Sequence, residues 1–235
     1  MQPFDLVTPA GVAEAIELGA APGAVYLAGG TNVVDFLRTG AMSASAVVDI
    51  EALPLRGVEF DGSRLRIGAL ARMSEVAAEP VVRDRYRYIA QSLELSASAQ
   101  LRNMASIGGN LLQRTRCPYF RDRDFPCNKR LPGSGCAALD GENRRHAVLG
   151  GSEWCVATHA SDLAVALAAA DAEVHVQGPA GERTMLLDTF YREPGSTPHI
   201  ETSIDHGDLV VAVSLPALPG GRPVGVPQGA RAGQL

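Results

Sequence analysis

No run of about 18 or more apolar residues occurs in this 235-residue chain, so no membrane-spanning helix is predicted. Residues 1–20 show no basic start ahead of an apolar core, and a secretory signal of the usual kind is not expected. Positive charge is not in excess either. The formal net charge is −5, which argues against nucleic acid as the main partner. There is no phosphate loop of the G-x-x-x-x-G-K-S/T type, no G-x-S-x-G elbow and no G-x-G-x-x-G fingerprint. His146, His159, His175, His199 and His206 have no metal-like spacing with one another, and no carboxylate pair for hydrolysis stands out. Nothing here resembles a site for making or breaking substrate bonds.

Cysteine is missing from most of the chain and then crowded: Cys117, Cys127, Cys136 and Cys155 are all of it. With 46% hydrophobic and 20% charged residues, the chain is globular and long enough for one large domain or two small ones. Thr8-Pro9 ahead of Val12, Ala13, Ala15, Ile16 and Leu18 predicts an N-capped helix. Val25–Leu27 and Ala46–Ile50 read as short strands with a helix over Val33–Arg38 between them. Val58–Phe60 and Leu65–Ala69 predict a hairpin across Asp61-Gly62-Ser63. A helix near Ser74 and another over Val81–Leu95 follow. Ser161-Asp162 caps an apolar helix to Ala170, then Glu173–Val176, Arg183–Leu187 and Leu209–Leu215 read as strands. Without strict βαβ repetition, the class is α+β. The tail after Pro216 has no periodicity.

Two glycine turns carry the first chemistry. Leu27-Ala28-Gly29-Gly30-Thr31-Asn32 is a strand emptying into a glycine pair before a helix, a form in which N–H groups and helix start favour an anion. Ser106-Ile107-Gly108-Gly109-Asn110 offers a second small-residue turn with side-chain donors. Asp162 suits a ribose or adenine donor, and capping a helix would suit it equally.

The cysteines are spaced C-x9-C-x8-C-x18-C, with neither the tight C-x2–4-C knuckles of zinc ribbons nor the C-x2-C-x2-C run of ferredoxins. On spacing alone an iron–sulfur cluster, zinc, disulfides and free thiols all stay open. Around them Arg114, Arg116, Arg121, Arg123, Lys129 and Arg130 outnumber Asp122 and Asp124, a charge that fits an anionic group or a solvated loop.

Three segments, in this order, carry a resemblance: Leu27–Asn32, Arg102–Leu111, and His159-Ala160-Ser161-Asp162-Leu163. Together the chain resembles the FAD-binding subunit of the molybdenum hydroxylases, the xanthine dehydrogenase and aldehyde oxidase family. Gln113–Phe120 and Phe125–Arg130 resemble the cysteine-bearing insertion of the flavin subunit of bacterial three-subunit aldehyde oxidoreductases; a related insertion occurs in 4-hydroxybenzoyl-CoA reductases. The resemblance implies a two-subdomain FAD-binding fold of the PCMH or vanillyl-alcohol oxidase type. It divides the chain as 1–55 and 56–216, with the insertion at 113–157 and an irregular tail at 217–235.

The same resemblance implies FAD held by Leu27, Ala28, Gly29, Gly30, Thr31, Asn32 and Val33 on one side and by Ser106, Gly109 and Asn110 on the other. Asp162 would serve the ribose, and Val210 an apolar place beside the adenine or flavin. Cys117, Cys127, Cys136 and Cys155 would hold a [4Fe–4S] cluster. The implied function is electron transfer in a molybdenum-dependent aldehyde oxidoreductase, with a molybdopterin-binding large subunit and a [2Fe–2S] small subunit as partners. The expected compartment is the cytoplasm, or the periplasm if a partner's signal carries the complex. Family members continue for about another hundred residues, so a missing C-terminal domain is expected. A remnant that keeps the cysteine cage without working flavin is the alternative, as is the 4-hydroxybenzoyl-CoA reductase version.

Overall fold

The computed structural model describes residues 1–218. The expectation of a tail at 217–235 therefore falls almost wholly outside the described residues. Two sheets organise the chain. The first is three-stranded and parallel, built from β1 (Asp5–Val7), β2 (Ala24–Leu27) and β3 (Ala46–Asp49) in the order β1-β3-β2. Its crossovers are α1 (Val12–Gly19) and α2 (Val33–Thr39). In α1, Val12, Ala15, Ile16 and Gly19 recur at helical spacing and turn one face to the sheet. The predicted cap at Thr8-Pro9 is not used: Gly11 occupies the cap position with no side-chain bond, and Thr8-Pro9 stays outside the helix. The parallel pairing and β1 were not visible in the sequence, because three residues give no periodicity to read.

The second sheet is antiparallel. It contains β4 (Val58–Phe60), β5 (Arg64–Gly68), β6 (Glu173–Gly178), β7 (Gly181–Leu186) and β8 (Leu209–Pro216) in the order β4-β5-β8-β6-β7. The mixture of one parallel and one antiparallel sheet with helices is the expected α+β class. β8 lies at the centre, and its run of buried residues from Leu209 to Leu215 reflects cover on both faces. A register slip between His175 and Val176 leaves Val211 as an extra residue, since His175 faces Ala212 while Val176 faces Val210.

Between β5 and β6 the chain winds through α3 (Met73–Ala78), α4 (Pro80–Arg85), α5 (Arg87–Leu95), α6 (Ala99–Arg102), α7 (Ile107–Leu111), α8 (Pro118–Arg121) and α9 (Asp162–Ala168); α10 (Leu187–Phe190) follows β7. The helix predicted over Val81–Leu95 is two helices, broken at Tyr86, whose φ and ψ of −123° and 43° are not helical. Tyr86 is buried there, and its hydroxyl donates to the Pro216 carbonyl at 3.0 Å. The main core packs Ile67, Leu65, Val174 and Val213 of the sheet against Met73, Val82, Ile89, Leu93, Leu163 and Phe190 of the helices. A smaller core joins the two sheets, with Ala15, Val48 and Ile50 against Leu70, Leu209 and Val211.

Candidate functional site: two glycine turns, one groove and a nest of thiols

The two glycine turns meet. Gly29 is pressed against the turn between α6 and α7, so that a Cβ there would lie 1.8 Å from the Met104 carbonyl oxygen. Arg72, buried and paired with Glu51, donates to that same carbonyl and fixes the approach. Gly30 has φ +72°, the left-handed region that favours glycine. Glycine is thus required at 29 by chain-to-chain contact rather than by room for a phosphate. The N–H groups of Gly29, Gly30, Thr31, Asn32 and Val33 donate to no protein acceptor among the described residues.

Facing them, Ser106 caps α7 by accepting from the Gly109 N–H at 3.1 Å. A cleft lies between the two turns. Ala28, Gly29, Gly30, Thr31, Asn32, Val33, Ser106, Gly109 and Val210 border it, as does Asp208. Its floor is apolar, made by Ile50, Leu70 and Leu209 beside Val210. Val210 reaches this place next to the β8 bulge. Tyr26 also borders the cleft; burial and the neighbouring Asp208 carboxylate push its pKa up to about 12, and its hydroxyl donates to the Gly207 carbonyl at 2.8 Å.

A second cleft continues from the first, sharing Thr31, Asn32 and Gly109. Asn110 and Asp162 border this one instead. Asn110 is largely committed to protein: its Nδ2 donates to the Met73 sulfur at 3.4 Å and its Oδ1 accepts from the Ser161 hydroxyl at 2.6 Å. Ser161, not Asp162, caps α9, accepting from the Ala164 N–H at 2.9 Å. The capping role considered for Asp162 therefore falls to its neighbour, and the Asp162 carboxylate is exposed at the cleft. Leu27 is the one member of the predicted set that borders neither cleft; it packs beside Leu37, Ala44 and Val47. Ile50, Leu70, Leu209 and Tyr26 were missed because they lie on strands and loops without a motif. Gln113 and Arg116 of the second cleft did sit in a singled-out motif, but no role was read for them.

The insertion folds the thiols together. Cys127 and Cys136 face each other across an antiparallel bridge, and Ser152 and Cys155 form another. Burial pushes the Cys117 thiol up, the N–H groups of Phe120 and Tyr119 at the start of α8 pull the other way, and Cys127 and Cys136 are close enough to raise it further. Burial likewise raises Cys155, opposed by the Ala157 N–H and Lys129, with Cys136 and Cys127 again adding to the rise. Backbone N–H groups aimed at sulfur suit thiolates bound to a cluster. His146 adds Nε2 at 3.2 Å from the Cys117 sulfur. Among the described residues no three Cys, His, Asp or Glu side chains are arranged to hold a single metal ion. The basic stretch is mostly tied down: Arg114 and Lys129 pair with Glu201, Arg121 with Asp35, and Arg130 donates to the Tyr119 and Phe120 carbonyls.

These features define a cofactor-binding domain of the flavoprotein type. The chain belongs to the family of the FAD binding domain in molybdopterin dehydrogenase, which matches residues 2–218. It is 51% identical over 203 residues to the aldehyde oxidoreductase FAD-binding subunit PaoB of Escherichia coli strain K12, covering 86% of this chain and 64% of that protein. It is 32% identical over 111 residues to the carbon monoxide dehydrogenase medium chain of Hydrogenophaga pseudoflava, covering 46% of this chain and 39% of that one. A solved carbon monoxide dehydrogenase from Hydrogenophaga pseudoflava shares the fold, with a TM-score of 0.68 at 22% identity over 94% of this chain and 61% of that chain. The chain thus spans less than two thirds of these relatives' length. Among the described residues no helix is long and apolar enough to cross a membrane.

Proposed function

We propose that this chain is the FAD- and [4Fe–4S]-carrying electron-transfer subunit of a molybdenum-dependent aldehyde oxidoreductase. One observation carries the flavin part: two glycine turns far apart in sequence border one groove, with unpaired N–H groups on one wall and an apolar floor ending at Val210. A dinucleotide needs both, since its diphosphate seeks donors and its rings seek apolar cover. The residues fit that group. Gly29–Val33 would receive the diphosphate, Ser106 and Gly109 would close on it from α7, and Val210 with Leu209 would shield a ring from water.

For the cluster, support comes from the donor chemistry. Cys117 and Cys155 each lie within electrostatic reach of the bridged pair Cys127 and Cys136, and N–H groups point at two of the sulfurs. A mononuclear ion gathers its ligands at about 2.3 Å around one centre; a four-iron cluster takes each thiolate at a different corner and suits a wider cage. Cys117, Cys127, Cys136 and Cys155 would be the ligands, with Lys129 offsetting their charge. Bound flavin exchanges electrons in ones or twos, and an iron–sulfur cluster passes them singly. This chain's residues position both groups, exclude water and tune their environment. The aldehyde chemistry is assigned to a molybdopterin-binding large subunit, and delivery to a [2Fe–2S] small subunit, in keeping with the 51% identity to an aldehyde oxidoreductase subunit. The cytoplasm is the proposed compartment.

The test is composition. Prepared anaerobically with neighbouring subunits co-expressed, the chain should contain FAD, iron and acid-labile sulfide. Colourless protein without flavin or sulfide would end this reading. Iron without flavin would point to an assembly module, and zinc without sulfide to a structural staple.

A further inference from the structure

Two of the four thiols are set opposite each other by backbone bonds alone. Cys127 and Cys136 form an antiparallel bridge. The bonds that make it belong to their neighbours: the Asn128 N–H donates to the Gly135 carbonyl at 2.6 Å, and the Ala137 N–H to the Pro126 carbonyl at 3.2 Å. Cys127 and Cys136 are therefore a non-hydrogen-bonded pair, in which Cα atoms lie about 4.5 Å apart and side chains approach most closely. A disulfide spans Cα separations of roughly 4.4–6.8 Å, so this pair can be joined with little backbone movement. The hairpin between them is closed on its own account. Asn128 Oδ1 accepts from the Gly135 N–H at 2.8 Å, and the Ser134 hydroxyl accepts from the Cys127 N–H at 3.0 Å. The Cys127 carbonyl accepts from the Arg130 and Leu131 N–H groups at 3.0 and 2.8 Å. Gly133 and Gly135, at φ +83° and +102°, supply the left-handed backbone that the return requires. Neither other thiol is so placed: Cys155 is bridged to Ser152, and Cys117 occupies the cap position of α8. Cys136 is half-buried whereas Cys127 is buried, so within this pair an oxidant in water meets Cys136 first.

We propose that Cys127 and Cys136 are a redox-active pair that closes to a disulfide when the insertion holds no cluster, and that the chain must be reduced before it can load one. A hydroperoxide oxidises the Cys136 thiol to a sulfenic acid, and its O–O bond breaks to release water or an alcohol. The Cys127 sulfur then attacks the Cys136 sulfur. The S–S bond forms, the S–O bond breaks, and the hydroxyl leaves as water with the Cys127 proton. The two thiols together lose two electrons, which the peroxide takes up. A dithiol reductant reverses the step by thiol–disulfide exchange. Because the partners are already in place, closure outruns further oxidation of Cys136 to the sulfinic acid. The pairing rests on backbone geometry; its effect on loading rests on reading all four thiols as cluster ligands. With two sulfurs joined, only Cys117 and Cys155 remain to bind iron, and a four-iron cluster takes four thiolates.

The experiment uses the full chain, co-expressed with its neighbouring subunits under iron starvation and treated with equimolar hydrogen peroxide. Free thiols are blocked with iodoacetamide, the sample is reduced, and newly freed thiols take a heavy-isotope label, read cysteine by cysteine by mass spectrometry. Peroxide should remove two of the four thiols, Cys127 and Cys136, and unreduced digests should contain their peptides linked. Dithiothreitol should return both. The oxidised chain should take up no iron or sulfide on reconstitution until dithiothreitol is added. Cys136→Ser should leave Cys127 free after peroxide, and Cys117→Ser should still give the Cys127–Cys136 link. If a variant does not fold, the wild-type peptide map decides. Oxidation spread evenly over the four thiols, a dominant link to Cys117 or Cys155, or sulfinic acid without any link overturns the pairing. Undiminished cluster uptake by the oxidised chain overturns the control of loading. Reduced wild type that takes up neither iron nor sulfide sinks the cluster reading and the loading control with it, a result distinct from loss of the pairing.

Discussion

At the scale of single residues, Gly29 and Gly109 border the same cleft under different constraints. A methyl group at Gly29 would strike the Met104 carbonyl at 1.8 Å, a backbone atom that cannot swing aside. At Gly109 the same methyl would meet only the Ser106 hydroxyl, at 2.9 Å. Gly29→Ala should therefore lower the stability of the flavin-free chain by about 1–3 kcal/mol, the usual cost of overpacking, as read by urea denaturation. Gly109→Ala should leave that stability within about 1 kcal/mol and instead reduce bound flavin in the loaded protein. Equal loss of stability in both would show that the second turn is also fixed by packing. The glycine pair was legible as a turn in the sequence. Its partner, Met104, was not, because the contact joins positions with no pattern linking them.

At the scale of elements, the start of α9 is bound to α7 and α3 by a chain of side chains. Ser161 accepts from Ala164 and donates to Asn110, which in turn donates to Met73. Ser161→Ala removes the cap and leaves the Asn110 carbonyl oxygen unpaired, so a loss of about 1–2 kcal/mol in thermal or denaturant unfolding is expected. Ser161→Asp should recover part of it by keeping the cap. Glu201 plays the matching part for the insertion, gripping Arg114 and Lys129 at once. Glu201→Gln should cost about 2 kcal/mol and lower the iron retained per chain. Unchanged iron would mean that the insertion holds its shape without this tie. Ser161 was read from sequence as part of the cap pair, but Glu201 drew no attention. A lone glutamate in a loop gives no sign of its ionic partners until the chain is folded.

At the scale of the whole molecule, ionisable groups partly withdrawn from water bracket the pH range of stability. Partial desolvation holds the surface residue His159 below its ordinary value, with its ring 4.5 Å from that of Tyr191. The unfolded chain thus takes up the proton first, and stability present above the ordinary histidine value of 6.5 is lost as pH falls below it. Cys117 and Cys155 are displaced the opposite way for their type, upward by burial. In the metal-free chain the unfolded thiols ionise first, so stability present below the ordinary thiol value of 9.0 is lost as pH rises through it. Tyr26 and Tyr88, each raised to about 12 chiefly by burial, steepen that fall at still higher pH. The metal-free chain should show a stability plateau between about pH 6.5 and 9, measured by denaturation across pH. Iron loading should release protons and flatten the alkaline limb, because the thiols are then held ionised. A metal-free chain most stable at pH 10 would contradict these assignments.

The sequence by itself determined the local order of this protein: the hairpin at Val58–Gly68, the buried run of β8, both glycine turns and the crowding of thiols between Cys117 and Cys155. Each is set by short-range periodicity, turn chemistry or composition, which act over a few residues. Only the tertiary structure decided that the first three strands pair in parallel, that Tyr86 breaks one helix into two, and that Leu27 borders neither cleft while Gln113 and Arg116 border the second. Those outcomes depend on contacts between segments tens of residues apart, and closing such loops leaves no trace in the local pattern.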